Sequence, residues 1–369
     1  MSSLIQRFLA ARVAEGWTPG AAWWVARGER LVESGALGHA TTLPGLEPLS
    51  ERTPFDLASL TKPLVTATLL VLAEQDGLLD LERPVGEFLD ELSGSPWQGT
   101  TLLDLATHTS GLPAWKPLCA EADSVEGYLR AIADSSRAVS VGTTLYSDLG
   151  YILLGETLAR VSNEPLAQLF HRRIAEPLGL KRTGFAEDPT SFADAAATEQ
   201  GNRYERNLAG PAGEQFSWRE TLIRGVVHDA NAHGLGGVAG HAGLFAPIEE
   251  LARLAGELLR PRRLPLGARA RDRLLGVVPN GGGRTVGFVA ARCSTAAEGI
   301  LPGGSPGHTG FTGTSIWLEP SRNLLFVLLA NRVHPVVSRR NFQLVRRGFH
   351  RLALRAASQA VVAPTREDP

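Results

Sequence analysis

A serine and a lysine three residues apart could form an activated nucleophile in this chain. Ser59 and Lys62 stand in the segment Ser-Leu-Thr-Lys, at the start of an apolar helix pattern that runs to about Gln75. Positions i and i+3 lie on one face of a helix, so the hydroxyl and the amine would project together. The first turn of a helix also offers free N–H groups and partial positive charge, which favour an alkoxide and a neutral amine. The pair is a candidate for nucleophilic catalysis, although a capping serine and a solvated lysine would have the same spacing.

The lysine matters because the chain uses arginine for almost every other cation. Only three basic residues are lysine, namely Lys62, Lys116 and Lys181. Arginine keeps its proton under ordinary conditions, whereas a lysine can release it. A proton-transfer role at position 62 could therefore not be filled by arginine, which favours the functional interpretation.

A tyrosine and an aspartate form the second candidate group. The segment Tyr146-Ser147-Asp148 lies in a loop before a helix pattern over residues 149–161. A tyrosine beside a lysine can act as a phenolate base or relay protons. A core tyrosine followed by a helix-capping aspartate fits the same segment, so the residues alone leave both interpretations open.

The third group is the segment His308-Thr309-Gly310-Phe311, which we expect to open the first strand of a C-terminal hairpin. Gly310 would let a substrate backbone approach this strand closely. A backbone N–H beyond it could join the N–H of Ser59 as a pair of donors to an oxyanion. The alternative is that His308 ends a loop and has no chemical role.

Together the three segments resemble the serine β-lactamase and penicillin-binding-protein superfamily. The motifs S-x-x-K, Y-x-[N or D] and [K or H]-T-G follow one another in that order there, and here they end at Lys62, Asp148 and Gly310. Three further stretches look like the class C branch, which also holds D-Ala-D-Ala carboxypeptidases and related esterases: residues 107–113, 146–155 and 236–245. The resemblance extends over about residues 18–332.

The resemblance implies a hydrolase that forms an acyl-enzyme. Ser59 would be the acylated nucleophile, and Lys62 and Tyr146 would share the role of base. The N–H groups of Ser59 and Phe311 would hold the oxyanion. The family fold also matches the order of strand and helix patterns in this chain.

Two residues depart from many relatives and bear on the substrate. Asp148 stands where many carry asparagine, and an ionised carboxylate cannot donate to a substrate carbonyl as an amide does. It would also hold Lys62 protonated more firmly, which shifts the base role towards Tyr146. The resemblance implies that His308 and Thr309 contact the substrate carboxylate or acyl chain. Many β-lactamases carry a lysine at the position of His308, and histidine is a weaker, pH-dependent cation. We expect turnover of small esters or D-amino-acid amides and peptides, with weak β-lactam turnover at most.

A histidine-rich loop offers a competing mechanism. His228, Asp229, His233 and His241 fall within 14 positions and could bind zinc in a metallohydrolase. No H-E-x-x-H helix fixes their geometry, so a hydrogen-bonded loop is the alternative, and we expect no metal and no cofactor. A non-catalytic binding protein on the same fold is a further possibility, but such a protein would not need an activated serine at Ser59.

Strand patterns at both ends of the chain predict an α/β (α+β) fold. Hairpin patterns cover residues 21–38 and 314–331, and they predict one antiparallel sheet formed from both chain ends and flanked by helices. We expect residues 1–84 and 213–369 to form a discontinuous α/β domain, and residues 85–212 to form a mainly helical domain. Helix patterns cover residues 102–107, 125–133, 149–161, 166–174, 248–259 and about 340–357, whereas residues 185–215 are expected to be loops.

The composition is that of an ordinary globular chain. Its 369 residues include 37 basic and 38 acidic side chains and are 43% hydrophobic, which argues against disorder and against a basic nucleic-acid-binding surface. The two cysteines, Cys119 and Cys293, exclude a disulfide framework and every multi-cysteine metal site. No signal-peptide pattern and no apolar run of membrane-spanning length is visible. We therefore expect a cytoplasmic protein with a small-molecule or short-peptide substrate and no nucleic-acid or membrane partner.

Overall fold

The computed structural model describes residues 2–188 and 190–360. Residues 361–369, the end of the predicted discontinuous domain, lie outside the described residues. The strands of the described part are β1 Gly20–Arg27, β2 Arg30–Thr41, β3 Glu47–Pro48, β4 Phe55–Asp56, β5 Gly184–Phe185, β6 Leu244–Ala246, β7 Val289–Ala290, β8 Pro306–Thr309, β9 Ser315–Glu319 and β10 Leu324–Ala330. Its helices are α1 Leu4–Ala14, α2 Thr68–Gln75, α3 Leu102–Ala106, α4 Leu118–Glu121, α5 Val125–Ala133, α6 Asp148–Ser162, α7 Leu166–Phe170, α8 Glu176–Leu178, α9 Arg203–Ala209, α10 Ala230–Gly234, α11 Ile248–Leu259, α12 Ala268–Leu275 and α13 Gln343–Gln359. These elements confirm the expected mixture of strands and helices.

The main sheet joins the two ends of the chain, as the sequence predicts. Seven strands follow the order β3-β2-β1-β10-β9-β8-β7, and every pair is antiparallel. In its centre β1 pairs with β10, with Trp24 opposite Val327. The N-terminal and C-terminal hairpins therefore form one sheet, and the predicted fold class is confirmed.

The central strand β10 is buried along its whole length because helices cover both faces of the sheet. Side chains of a strand alternate between faces. Val327 accordingly joins the larger apolar cluster, which includes α11, while Phe326 and Leu328 join a second cluster with α1 and α13. The uninterrupted apolar sequence of β10 is what such a doubly covered strand requires.

A second, smaller sheet carries the segment that leads to Ser59. Its strands lie in the order β4-β6-β5, and after β4 the chain forms a 3-10 turn over Ala58–Leu60. A π-helical segment, Lys62–Ala67, then continues into α2. The predicted helix from Ser59 to Gln75 is therefore present, but its first two turns deviate from α-helical geometry.

Three parts of the sequence-based description need correction. His308 does not open the C-terminal hairpin: it belongs to the separate strand β8 and pairs with Ile316 of β9. The stretch expected to be loops contains the helix α9 and a 3-10 turn, Gly210–Gly213. The short helix α12 was not predicted.

Three of the helices predicted from the sequence are confirmed. Helices α5 and α11 have the expected bounds, and α6 differs by one residue at each end. Strand β5 lies in residues 85–212, the predicted helical domain, and pairs with β6 of the predicted α/β domain. The division into these two domains stays a prediction. Of the helices described, none has the length and apolar character needed to cross a membrane.

A close backbone contact near the site joins α6 to the loop before β6. A methyl group on Gly240 would lie 2.9 Å from the Cα of Gly155 and would contact the carbonyl oxygen of Tyr151. The carbonyl of Gly240 also accepts a hydrogen bond of 2.6 Å from Thr66. This loop is therefore held by its packing against α6 and by a hydrogen bond from the π-helical segment.

We expect Gly240→Ala to lower the free energy of unfolding by about 1–3 kcal/mol, because the added methyl group meets backbone atoms that cannot give way. Gly256→Ala in the middle of α11 is the matched control, since no atom lies within 4 Å of its added methyl group. That change should stabilise the protein by up to about 1 kcal/mol. Urea unfolding of both variants checks the pair, and equal midpoints would contradict the packing argument.

Candidate active site

The residues identified from the sequence meet around one cavity of about 490 Å³. Its lining includes Ser59, Tyr146, Asp148, His308, Thr309, Gly310 and Phe311. The side chain of Lys62 is buried next to Ser59, with none of its surface exposed. All eight predicted site residues are therefore brought together, from segments that lie far apart in the chain.

The ammonium group of Lys62 lies within 3.2 Å of three oxygen atoms. Its Nζ donates to Ser59 Oγ at 2.9 Å and to the carbonyl oxygen of His241 at 3.2 Å. It also forms an ion pair with Asp148 Oδ1 at 2.6 Å. An ammonium has three donors and no acceptor, so this geometry is that of protonated Lys62. In this state the lysine cannot take the proton of Ser59.

Charge and burial act in opposite directions on the two candidate bases. Burial lowers the pKa of Lys62, but the nearby Asp148 and Tyr146 outweigh it and raise this pKa above its ordinary value. Burial raises the pKa of Tyr146 more than the Lys62 ammonium, which lies 4.9 Å from the ring centre, lowers it. Because each of these two groups shifts the pKa of the other, Lys62 and Tyr146 titrate as one coupled set.

The capping roles that the sequence left open are filled by other groups. Ser147, not Asp148, is the N-cap of α6, and its hydroxyl accepts from the N–H of Gly150. The 3-10 turn that contains Ser59 has Leu57 at its N-cap and no side-chain cap. The carboxylate of Asp148 and the hydroxyl of Ser59 are therefore both free to contact Lys62.

The backbone N–H groups of Ser59 and Phe311 both belong to the cavity wall, and in the described part of the chain no side chain and no backbone group outside their own turn accepts from either of them. Gly310 brings together the segments that carry them, and its expected role in substrate approach stays a prediction. A methyl group on Gly310 would lie 2.5 Å from the carbonyl oxygen of Leu57 and 3.4 Å from Ala58 Cβ. The glycine therefore lets two parts of this chain approach each other, which places both donors at one cavity.

The segment before Ser59 is held in an unusual conformation. Ala58 has a φ of 47°, in the left-handed region that residues other than glycine rarely adopt. The carboxylate of Asp56 accepts from the N–H of Ala58 at 2.8 Å and from the N–H of His228 at 2.7 Å. Asp56 therefore fixes the turn that aims Ser59 into the cavity, and this role was not foreseen from the sequence.

His308 is neutral, which corrects the expectation of a pH-dependent cation. Burial, followed by the positive charges of Lys62 and Arg284, lowers the pKa of His308 well below its ordinary value. Its Nδ1 has no hydrogen-bond partner in the described residues. This imidazole can donate or accept a hydrogen bond to a bound molecule but brings no charge.

A permanent cation does line the cavity, and the sequence analysis missed it. The guanidinium carbon of Arg284 lies 5.4 Å from the centre of the Tyr146 ring. Within residues 2–188 and 190–360 this side chain has no ion pair and no hydrogen bond, and burial lowers its pKa. Nothing in the motifs marks Arg284 among the many arginines of the chain.

The histidine-rich loop forms separate pairs and not one ligand cluster. His228 Nε2 lies 3.0 Å from Glu199, and His241 Nε2 lies 2.9 Å from Asp229, while His233 is exposed. Among the residues described, no group of three or more histidine, cysteine or acidic side chains could hold a metal ion. His228, Asp229, His233 and His241 therefore do not form the ligand set that the metallohydrolase alternative needs.

Comparisons with known proteins give a consistent result. The sequence model of the Beta-lactamase family matches residues 5–347. The chain is 29% identical to N-acetylmuramyl-L-alanine amidase of Bacillus subtilis (strain 168), over 90% of this chain and 81% of that protein. It is 28% identical to a putative D-alanyl-D-alanine carboxypeptidase of Salmonella agona (strain SL483), over 78% and 71% of the two chains.

Solved structures share the fold at lower sequence identity. EstCE1, described as a hydrolase with promiscuous acyltransferase activity, superposes with a TM-score of 0.71 at 22% identity, covering 96% of this chain and 97% of its own. Simvastatin synthase from Aspergillus terreus superposes with a TM-score of 0.72 at 19% identity, covering 96% and 95%.

We expect Asp148→Asn to move the rising limb of the pH profile of kcat/KM to lower pH. The carboxylate raises the pKa of Lys62 and also opposes ionisation of Tyr146, so its removal eases loss of a proton from the coupled set. Glu121→Gln is the matched control, because Glu121 pairs with Lys116 at 2.9 Å away from the cavity. A limb that moves to higher pH in Asp148→Asn would contradict this description of the site.

Proposed function

Because this chain belongs to the Beta-lactamase family, we propose that it is a serine hydrolase that forms an acyl-enzyme at Ser59. One observation carries the proposal: buried Lys62 donates to Ser59 Oγ at 2.9 Å, on the wall of a cavity that Ser59 and Phe311 both line. A nucleophile, a proton-transfer partner and oxyanion donors are the parts that acyl transfer needs.

The acylation step follows from these contacts. Ser59 Oγ attacks the carbonyl carbon of an ester or amide, and its proton passes to Tyr146, which acts as the phenolate stabilised by Lys62. The N–H groups of Ser59 and Phe311 donate to the oxygen of the tetrahedral intermediate. The bond to the leaving group then breaks, and the leaving group takes the proton from Tyr146.

Deacylation repeats the sequence with water. Water attacks the ester carbon of acylated Ser59 and gives a proton to Tyr146. The ester bond breaks, Ser59 recovers its proton, and a carboxylic acid leaves. Since the active form lacks one proton of the coupled set, the rate should rise with pH as this set ionises.

For the substrate we propose amides and esters of peptide-like acyl donors, with weak β-lactam turnover at most. The relatives named as amidase and carboxypeptidase support an amide substrate. A second cavity of about 500 Å³ shares Tyr204 and Leu208 with the first, which leaves space for a substrate longer than a simple ester. Arg284 supplies the permanent positive charge that His308 lacks, so Asp148 is the residue that disfavours β-lactams.

A non-catalytic binding protein is the competing function. Burying an ion pair opposes folding unless the partners are well placed. Binding alone does not explain why Lys62 is buried beside Ser59 and paired with Asp148. Covalent labelling separates the two functions directly.

Ser59→Ala should abolish both turnover and covalent labelling by a fluorophosphonate, measured by intact mass. Ser294→Ala is the matched control, because Ser294 lines the same cavity without a lysine beside it and should still permit labelling at Ser59. Lys62→Arg should be nearly as damaging as Lys62→Ala, because the larger planar guanidinium cannot keep the contacts that the buried ammonium makes with Ser59, Asp148 and the His241 carbonyl. Full labelling of Ser59→Ala would refute the assignment.

Purified protein should hydrolyse p-nitrophenyl esters and D-Ala-D-Ala peptides with a higher kcat/KM than benzylpenicillin or cephalothin. Asp148→Asn should raise penicillin acylation relative to ester hydrolysis, because an amide can donate to the carbonyl that a carboxylate repels. Absorbance assays on this panel test both statements. Efficient penicillin hydrolysis by the unaltered protein would overturn the substrate proposal while leaving the acyl-enzyme mechanism intact.

A further inference from the structure

Two arginines hold two consecutive carbonyl groups at the edge of the cavity. Arg346 Nη2 donates to the carbonyl oxygen of Gly310 at 2.6 Å, and Arg332 Nε donates to the carbonyl oxygen of Phe311 at 2.8 Å. Arg346 is 4% exposed. The two contacts look alike, but they act on different peptide groups.

Only the Arg346 contact acts on the N–H of Phe311. A peptide group is planar and conjugated, and the carbonyl of Gly310 and the N–H of Phe311 belong to the same group. A cation on the oxygen draws electron density from the nitrogen, so the N–H becomes a stronger donor. Arg332, by contrast, contacts the peptide group whose N–H is that of Thr312.

The carbonyl of Gly310 does not need a guanidinium to be satisfied. It already accepts from the N–H of Gly313 at 3.2 Å. Arg346 has no acidic partner among the described residues, and burying an unpaired guanidinium opposes folding. Burial and the nearby Arg332 lower the pKa of Arg346 to about 9, which leaves it charged at neutral pH. Placing this charge at Gly310 is therefore unfavourable for stability and needs another explanation.

We propose that Arg346 is a positioning residue that polarises the Gly310–Phe311 peptide and so strengthens the Phe311 N–H as an oxyanion donor. The inference rests on the proposed function, because it assigns the Phe311 N–H to the acyl-enzyme reaction. Removing an oxyanion donor outright lowers a rate by roughly 10²–10³-fold. Loss of polarisation alone should lower the acylation rate by a smaller factor, about tenfold, with little change in KM.

The carbonyl stretch of the acyl-enzyme reports on this hydrogen bond directly. We would acylate the protein with p-nitrophenyl benzoate carrying ¹³C at the carbonyl and record infrared difference spectra after rapid mixing. In the unaltered protein the ester band should lie at lower wavenumber than that of the same ester in water. Arg346→Met should move the band to higher wavenumber and weaken binding of phenylboronic acid, whose adduct places an anionic oxygen at the same donors.

Three further variants keep the test decisive. Arg332→Met is the matched control: it removes an equivalent contact from the next peptide group and should leave the band within the spread of repeated spectra. Arg346→Gln keeps a neutral donor and should shift the band part of the way, and it replaces Arg346→Met if that variant does not fold. Arg346→Lys keeps the charge and should restore most of the acylation rate.

An unchanged band in Arg346→Met and Arg346→Gln would overturn the inference, even if turnover fell. A rise in KM confined to anionic substrates, with the band unmoved, would show instead that Arg346 contacts the substrate. Failure of the proposed function gives a different result, since no acyl ester band would then form in the unaltered protein.

Discussion

The buried ammonium group of Lys62 is the constraint on which the site depends. The three oxygen groups around it come from three separate parts of the chain: the hydroxyl of Ser59, the carboxylate of Asp148 and the carbonyl of His241. An unpartnered ammonium at this depth would be strongly unfavourable, so the three segments must come together if the lysine is to stay charged. The folding of the chain and the assembly of the site are therefore one event.

The same requirement explains why close backbone packing surrounds the site. His241 follows Gly240, and the contact of Gly240 with α6 holds the loop that presents the His241 carbonyl. Gly310 lets the end of β8 approach Leu57, just before Ser59. Side chains on either glycine would move one of the groups that meet the nucleophile, so the reacting groups are positioned by backbone approach as much as by hydrogen bonds.

The sequence predicted the parts that local pattern controls. We identified the apolar run of β10 and the motif residues Ser59, Lys62 and Tyr146. Both kinds of feature can be identified from residues that are neighbours in the sequence. Arg284 and Arg346 were missed, since their significance comes from where the fold places them and not from their neighbours in sequence. The helix α9 was missed because its polar residues, Arg203–Ala209, show no apolar period. How residues 1–84, 85–212 and 213–369 divide into domains stays a prediction.

The pairing of β1 with β10 also bears on how the protein is made. Ala21 pairs with Ala330, so the strand partners are about 300 residues apart in the chain. At ordinary rates of synthesis, β1 and β2 leave the ribosome roughly 15–60 s before β10 is complete. During that interval the apolar edge of the N-terminal hairpin has no native partner and could pair with other nascent chains. The main sheet can therefore be completed only after β10 has been made, and the yield in cells should depend on chaperones that cover the unpaired edge of β1 until then.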